Sequence, residues 1–173
     1  KVLQTKLIEL GFLSGRADGI FGPATEAALM NLQQVMGGEP TGVISTSTEL
    51  EKILSIEAGD GVNLIKNGDF FEGNASWSLW EQPNVCSVVG LEDEKWLEVN
   101  GTGGAKQEIG TLRANQIYTL SMNAYGAENS IGASFVCGIQ LDDEILWTPE
   151  FVLDGTNHRY AFTFYTEQEC SGT

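Results

Sequence analysis

Histidine is almost missing from this chain: His158 is the only one among 173 residues. A zinc-dependent amidase or peptidase draws its ligands from several His, Cys or carboxylate side chains, and one histidine does not supply that set. His158 lies in Thr156-Asn157-His158-Arg159, at the start of an alternating segment, and reads as a surface residue. Cysteine is scarce as well. Cys86, Cys137 and Cys170 cannot all pair within the chain, and none has C-x-x-C or zinc-type spacing. Their default role is that of small buried hydrophobes, since no activating context surrounds any of them for a Cys–His nucleophile. Basic residues are few, nine against twenty-four acidic ones, for a formal charge of −15. Residues 1–57 carry four basic and seven acidic side chains, net −3, and the remainder five and seventeen, net −12. Such a surface repels a phosphate polyanion, so nucleic acid is not expected as a partner. Neutral glycans or cations fit it, and so does a plain solubility role. No apolar run approaches the length of a membrane span, and no signal-peptide pattern opens the chain, which begins at Lys1 already inside helical periodicity. Many carboxylates are present, but nothing selects the facing pair a glycosidase uses. The chain is expected not to be an enzyme.

What is present is ordered in two styles. Leu3, Leu7 and Leu10 recur at helical spacing until Gly11, and a loop with Ser14-Gly15-Arg16-Ala17 follows. Asp18-Gly19-Ile20-Phe21-Gly22-Pro23 then combines a glycine turn with a proline suited to the first helical position, so a second helix is expected from Pro23. Thr41-Gly42-Val43-Ile44-Ser45-Thr46-Ser47-Thr48-Glu49-Leu50 is a degenerate copy of that signal. Thr46 and Glu49 have capping-box spacing, and a third short helix with Leu50, Ile53 and Leu54 is expected after them.

This segment resembles the small three-helix peptidoglycan-binding domains of bacterial and phage cell-wall hydrolases, through Val2-Leu3-Gln4, Gly11-Phe12-Leu13, Asp18 to Thr25, and Leu32-Gln33. The resemblance implies a ligand groove beside the turn into the second helix, made by Asp18, Gly19, Ile20, Phe21 and Thr25, with Phe12 or Phe21 packing on the ligand. The alternative reading is structural: Asp18 and Thr25 cap backbone N–H groups and Phe21 anchors the loop.

Near residue 57 the pattern changes from helical stripes to short alternating and aromatic runs separated by Gly, Asn and Asp. The expected division is a helical domain over 1–57, a linker over 58–62 and an all-β domain over 63–173. Tyr118, Leu120 and Met122 alternate with Thr119, Ser121 and Asn123, and Tyr160, Phe162 and Phe164 repeat that period. Turn signals such as Asn100-Gly101 and Asp154-Gly155 leave no room for crossover helices, so the expected fold is an antiparallel sandwich.

Asn63-Leu64-Ile65-Lys66-Asn67-Gly68-Asp69-Phe70-Phe71-Glu72-Gly73, followed by Trp77, is similar to the opening of jelly-roll carbohydrate-binding modules found beside cellulases and xylanases. Gln107-Glu108-Ile109, Tyr118 to Ala124 and Tyr160 to Phe164 match internal strands of that family. The resemblance implies a core role for Trp77, a structural calcium at Glu72, and one or two strands beyond those found here, so the jelly roll is expected to lack its last strand or to receive it from a neighbouring chain. Sugar rings stack on exposed aromatics while nearby Asn, Gln and Asp side chains satisfy the hydroxyls. The candidates are Trp80, flanked by Glu81, Gln82 and Asn84, together with Trp96, Tyr125 and Trp147. For each of them, packing in the core is the competing reading. Asp142-Asp143-Glu144 lacks EF-hand spacing and reads as a solvated hairpin tip.

These readings point to a non-catalytic adhesion protein for peptidoglycan and carbohydrate at a bacterial surface, whose two linked binders gain avidity. The odd cysteine count favours folding in a reducing cytoplasm, as a phage virion protein does. The rival is a structural or assembly component of a virion or surface complex that binds other subunits and no glycan. A third reading is the targeting part of a wall hydrolase.

Overall fold

A computed structural model of the chain describes residues 1–80 and 85–173. Among the described residues three helices come first, α1 (Val2–Glu9), α2 (Pro23–Val35) and α3 (Ser47–Ser55). The strands follow: β1 (Ser78–Trp80), β2 (Cys86–Leu91), β3 (Glu94–Val99), β4 (Gly104–Lys106), β5 (Gly110–Leu112), β6 (Gln116–Ala124), β7 (Ser134–Phe135), β8 (Gly138–Leu141), β9 (Glu144–Trp147), β10 (Phe151–Val152), β11 (His158–Thr166) and β12 (Cys170–Gly172). An all-α part therefore precedes an all-β part built of antiparallel pairs.

The helix starts follow local chemistry. α2 opens on Pro23 behind an extended Gly22, where the missing proline N–H costs nothing. α3 opens behind Thr46, whose hydroxyl accepts from the Glu49 N–H at 3.1 Å. The return half of the capping box is displaced by one residue: Glu49 Oε2 accepts from the Ser45 N–H at 2.8 Å.

The chain packs as two compact units. The first comprises Lys1–Asp60, Arg113–Cys137 and Trp147–Cys170. Its core gathers Leu7, Ala28, Leu29, Leu32, Ile53 and Ile56 from the helical part with Tyr165 of β11, and Ile117 of β6 packs against it. Helices this short are marginal in isolation, so the shared core holds them. Truncating Leu29 or Leu32 to alanine there is worth about 2–5 kcal/mol. β6 and β11 run antiparallel in full register, with Tyr160 opposite Met122, Phe162 opposite Leu120 and Phe164 opposite Tyr118. The two alternating runs seen in the sequence are thus cross-strand partners, and the Tyr118 and Phe164 rings stack at 5.6 Å. Phe135, Phe151 and Tyr160 form a second ring cluster, with centroids 4.8–5.3 Å apart.

The second unit comprises Gly61–Leu112, Gly138–Leu146 and Ser171–Thr173. It contains the β1–β4 pair, the β2–β3 hairpin and most of a four-stranded sheet ordered β5-β12-β8-β9. Cys86, Leu112 and Ile139 are its buried apolar residues. Gly90 has φ +126°, and a Cβ there would overlap the Glu94 carbonyl oxygen, so the β2–β3 hairpin requires glycine at this position.

One detail differs from the sequence reading. Gln107-Glu108-Ile109 is not a strand but the connection between β4 and β5, because the Gln107 side chain turns aside to bind the Lys66 backbone. The residues after Thr166 form β12, which takes an interior place between β5 and β8. Asp142 and Asp143 form the turn between β8 and β9, with Asp142 at φ 50°.

Candidate functional site

The turn before α2 is built around Gln4. This side chain is buried on the apolar stripe of α1, three residues before Leu7. Its Nε2 donates to Asp18 Oδ1 at 2.8 Å, to the Ile20 carbonyl at 3.1 Å and to Thr25 Oγ1 at 3.3 Å. Its Oε1 accepts the Gly19 N–H at 2.7 Å. Asp18 Oδ1 also accepts the Ile20 N–H at 2.8 Å. The Gln4 amide, and next the Ile20 N–H, hold the Asp18 carboxyl below the usual carboxylate range.

The same device recurs at the degenerate copy. Gln33 Nε2 donates to Thr41 Oγ1 at 3.2 Å, to the Val43 carbonyl at 2.9 Å and to Glu49 Oε1 at 2.9 Å, while its Oε1 accepts the Gly42 N–H at 2.9 Å. Hydrogen bonds from Gln33, and then from the Ser45 N–H, lower the Glu49 carboxyl. Gly19 at φ 90° and Gly42 at φ 69° occupy corresponding places. The sequence reading gave neither glutamine a role. The signal available was a glutamine inside each apolar stripe, Gln4 before Leu7 and Gln33 four residues after Leu29.

Of the five residues singled out at this turn, Thr25 is buried, and Asp18 and Gly19 spend polar groups on Gln4. Ile20 and Phe21 stand in solvent, 70% and 54% exposed. The face the turn offers a ligand therefore joins these two apolar side chains to the exposed Asp18 carboxylate, with Phe12 packed against the core instead.

In the all-β part the four candidate aromatics are all surface residues: Trp80 is 47% exposed, Trp96 38%, Tyr125 49% and Trp147 59%. Trp80 and Trp96 belong to the second unit, on β1 and β3, opposite Gly104 and Val89 respectively. Tyr125 and Trp147 belong to the first, just after β6 and at the end of β9. No ring contact joins the two members of either set among the described residues. The flanking Glu81, Gln82 and Asn84 lie outside the described residues. Trp77 differs from the four: its ring lies 5.3 Å from that of Phe70, and its Nε1 donates to the Asn67 carbonyl at 2.9 Å.

Two open grooves mark the surface of the second unit. One, of about 340 Å³, is lined by Leu79, Cys86, Val88, Gly90 and Lys95 among others. The other, of about 490 Å³, is walled by Lys66, Trp77, Lys106, Gln107 and Glu108 among others. Neither is lined by Trp80 or Trp96.

Glu72 lies in a turn closed by Asn67, whose Nδ2 donates to the Gly73 and Ala75 carbonyls, both at 2.9 Å, and whose Oδ1 accepts the Glu72 N–H at 3.0 Å. Calcium takes six to eight oxygens. No group of three or more His, Cys, Asp or Glu gathers among the described residues, and the oxygens nearest Glu72 in sequence already accept hydrogen bonds. His158, the first residue of β11, is exposed and pairs through Nε2 with Asp154 Oδ2 at 3.0 Å. The Thr156 N–H, followed by His158, lowers the Asp154 carboxyl. Cys86 and Cys137 are free thiols. Among the described residues no helix is long and apolar enough to cross a membrane.

Two family models match the chain, that of a peptidoglycan binding domain over residues 1–49 and that of a carbohydrate binding domain over residues 62–172. Both matched regions are binding domains. No curated protein matches the chain.

Proposed function

This chain belongs to the carbohydrate binding domain family, and from that premise we propose that it is a non-catalytic adhesion protein holding peptidoglycan with its helical part and saccharide with its all-β part, outside the cell at a bacterial surface. The observation that carries the reading is the exposure of Trp80, Trp96, Tyr125 and Trp147 on a family scaffold that handles sugars. Large aromatics in water lose little by presenting a ring face, and a sugar's C–H face covers it. The helical part contributes Ile20 and Phe21, whose apolar surface suits the hydrophobic side of an amino sugar or stem peptide. Two weak sites on one chain raise retention on a repeating wall polymer through effective concentration.

The setting is a phage particle or the targeting part of a wall-active protein. An odd count of cysteines, three in the chain, fits the first, because a virion component folds in a reducing cytoplasm.

Retention on purified peptidoglycan and binding across a glycan array test the reading. The wild-type chain is expected to be retained on the wall polymer and to select a subset of saccharides. Trp80→Ala and Trp147→Ala are expected to weaken saccharide binding about tenfold, while a side chain this exposed costs under about 1 kcal/mol of stability. No retention in either assay overturns the proposal.

A further inference from the structure

We propose that the groove walled by Lys66, Trp77 and Lys106 binds an acidic sugar through its carboxylate, an inference that rests on the saccharide-binding reading above and names the substrate class of one site within it.

Beyond residue 57 five cations face seventeen acidic side chains. Three of the five are engaged. Lys95 donates to the Phe71 carbonyl at 2.8 Å and lies 5.4 Å from the centre of the Phe71 ring. Arg113 pairs with Asp60 at 3.6 Å, and Arg159 donates to Ser121 Oγ at 3.0 Å. The ammonium groups of Lys66 and Lys106 have no ion pair or hydrogen bond among the described residues, although carboxylates abound in this part of the chain. These two unpaired cations line the same groove.

Their meeting is built into the fold. Gln107 is buried and clasps the Lys66 backbone, its Oε1 accepting the Lys66 N–H at 2.7 Å and its Nε2 donating to the Lys66 carbonyl at 2.8 Å. Lys106 immediately precedes Gln107 and lies opposite Ser78 in the β1–β4 pair, which brings Trp77 alongside. Trp77, which lines the groove, is held in place by its bond to Asn67 and its contact with Phe70. The volume of about 490 Å³ is that of a site for a small ligand.

The lining decides the ligand class. The lysines supply charge-assisted donors for an anionic group, and the indole supplies an apolar face for a sugar ring. Glu108 on the same wall can accept hydrogen bonds from sugar hydroxyls. A molecule that joins a carboxylate to hydroxyls and an apolar ring face satisfies all of these, as a hexuronic acid does.

The test is calorimetric titration of the full chain at about 0.15 M salt, where charges beyond about 8 Å are screened. The probes are a tetramer of galacturonic acid and its fully methyl-esterified, uncharged form. The wild-type protein is expected to bind the acid about tenfold tighter than the ester. In K66Q/K106Q that preference falls to about onefold with unchanged thermal melting, and K106Q alone, an exposed strand-end position, gives an intermediate ratio. Equal binding of acid and ester by the wild type, or a preference that survives in K66Q/K106Q, overturns the inference. Binding of neither probe by protein still retained on peptidoglycan or a neutral glycan overturns this inference and leaves the proposed function standing. No retention on any glycan removes both.

Discussion

Gln4 and Asp18, fourteen residues apart, are joined by a 2.8 Å hydrogen bond, and the same glutamine takes the N–H of Gly19 on its other amide atom. Gln33 repeats the arrangement with Thr41 and Gly42. A planar amide that donates and accepts at once spans a glycine turn from the helix beneath it, which makes the two glutamines the fasteners of the helical part. Gln4→Leu and Gln33→Leu are each expected to destabilise the chain by about 2–3 kcal/mol, because buried turn groups lose their partners. Urea unfolding followed by helical circular dichroism measures this. A loss under about 0.5 kcal/mol for either removes the fastener role.

Asp18 and Glu49 are held ionised by those glutamines, and the sign of the pH effect follows. A carboxyl lowered in the folded state stabilises the fold at pH values above its unfolded pKa, and the contribution is lost as pH falls through the folded pKa. The helical part is therefore expected to lose stability on acidification below about pH 5. In Gln4→Leu the Asp18 titration, followed by NMR, moves upward towards the ordinary value. An unmoved titration contradicts the assignment of Gln4 as its main cause.

The indole of Trp80 lies on Gly104, its cross-strand partner in β1–β4. A Cβ at position 104 would overlap Trp80 Cζ2 and stand 2.7 Å from Cη2. Gly104→Val is expected to turn this ring and lower saccharide binding severalfold with Trp80 itself intact. Quenching of tryptophan fluorescence by acrylamide reports the new ring exposure, and unchanged quenching and binding together contradict a Trp80 platform set by Gly104.

Cys137 lies in β-rich packing with its sulfur 3.3 Å from that of Met122, and burial pushes its thiol up to about 11. At pH 8 only about one thousandth of it is thiolate. Iodoacetamide labelling read by mass spectrometry is expected to modify Cys137 only after urea is added, and labelling of the native protein within minutes contradicts this burial.

Much of the fold was legible because its signals are local. Pro23 after Gly22, Thr46 ahead of Glu49 and the runs Tyr118–Met122 and Tyr160–Phe164 declare helix starts and strands within a few residues. Thr46 and Glu49 meet at the start of α3 as their spacing predicts, while the Glu49 carboxylate also takes the Gln33 amide from a distant part of the chain on Oε1 and the Ser45 N–H on Oε2. Gln107 to Ile109 is a strand by the family resemblance but connects β4 to β5 in the structure, with Gln107 bound to the backbone of Lys66, forty-one residues away. At the candidate sites the residue types were visible, but which polar groups are spent and which rings face water was not.

By itself the sequence settled the helix-then-strand order and the formal charge of −15, because composition and short-range periodicity do not depend on who packs against whom. Only the tertiary structure decided that Tyr165 joins the helical core, that Thr25 is buried while Ile20 and Phe21 stand in water, and that Lys66 meets Lys106 beside Trp77. Those outcomes depend on contacts between segments far apart in the chain, where burial and partner choice are set by three-dimensional packing.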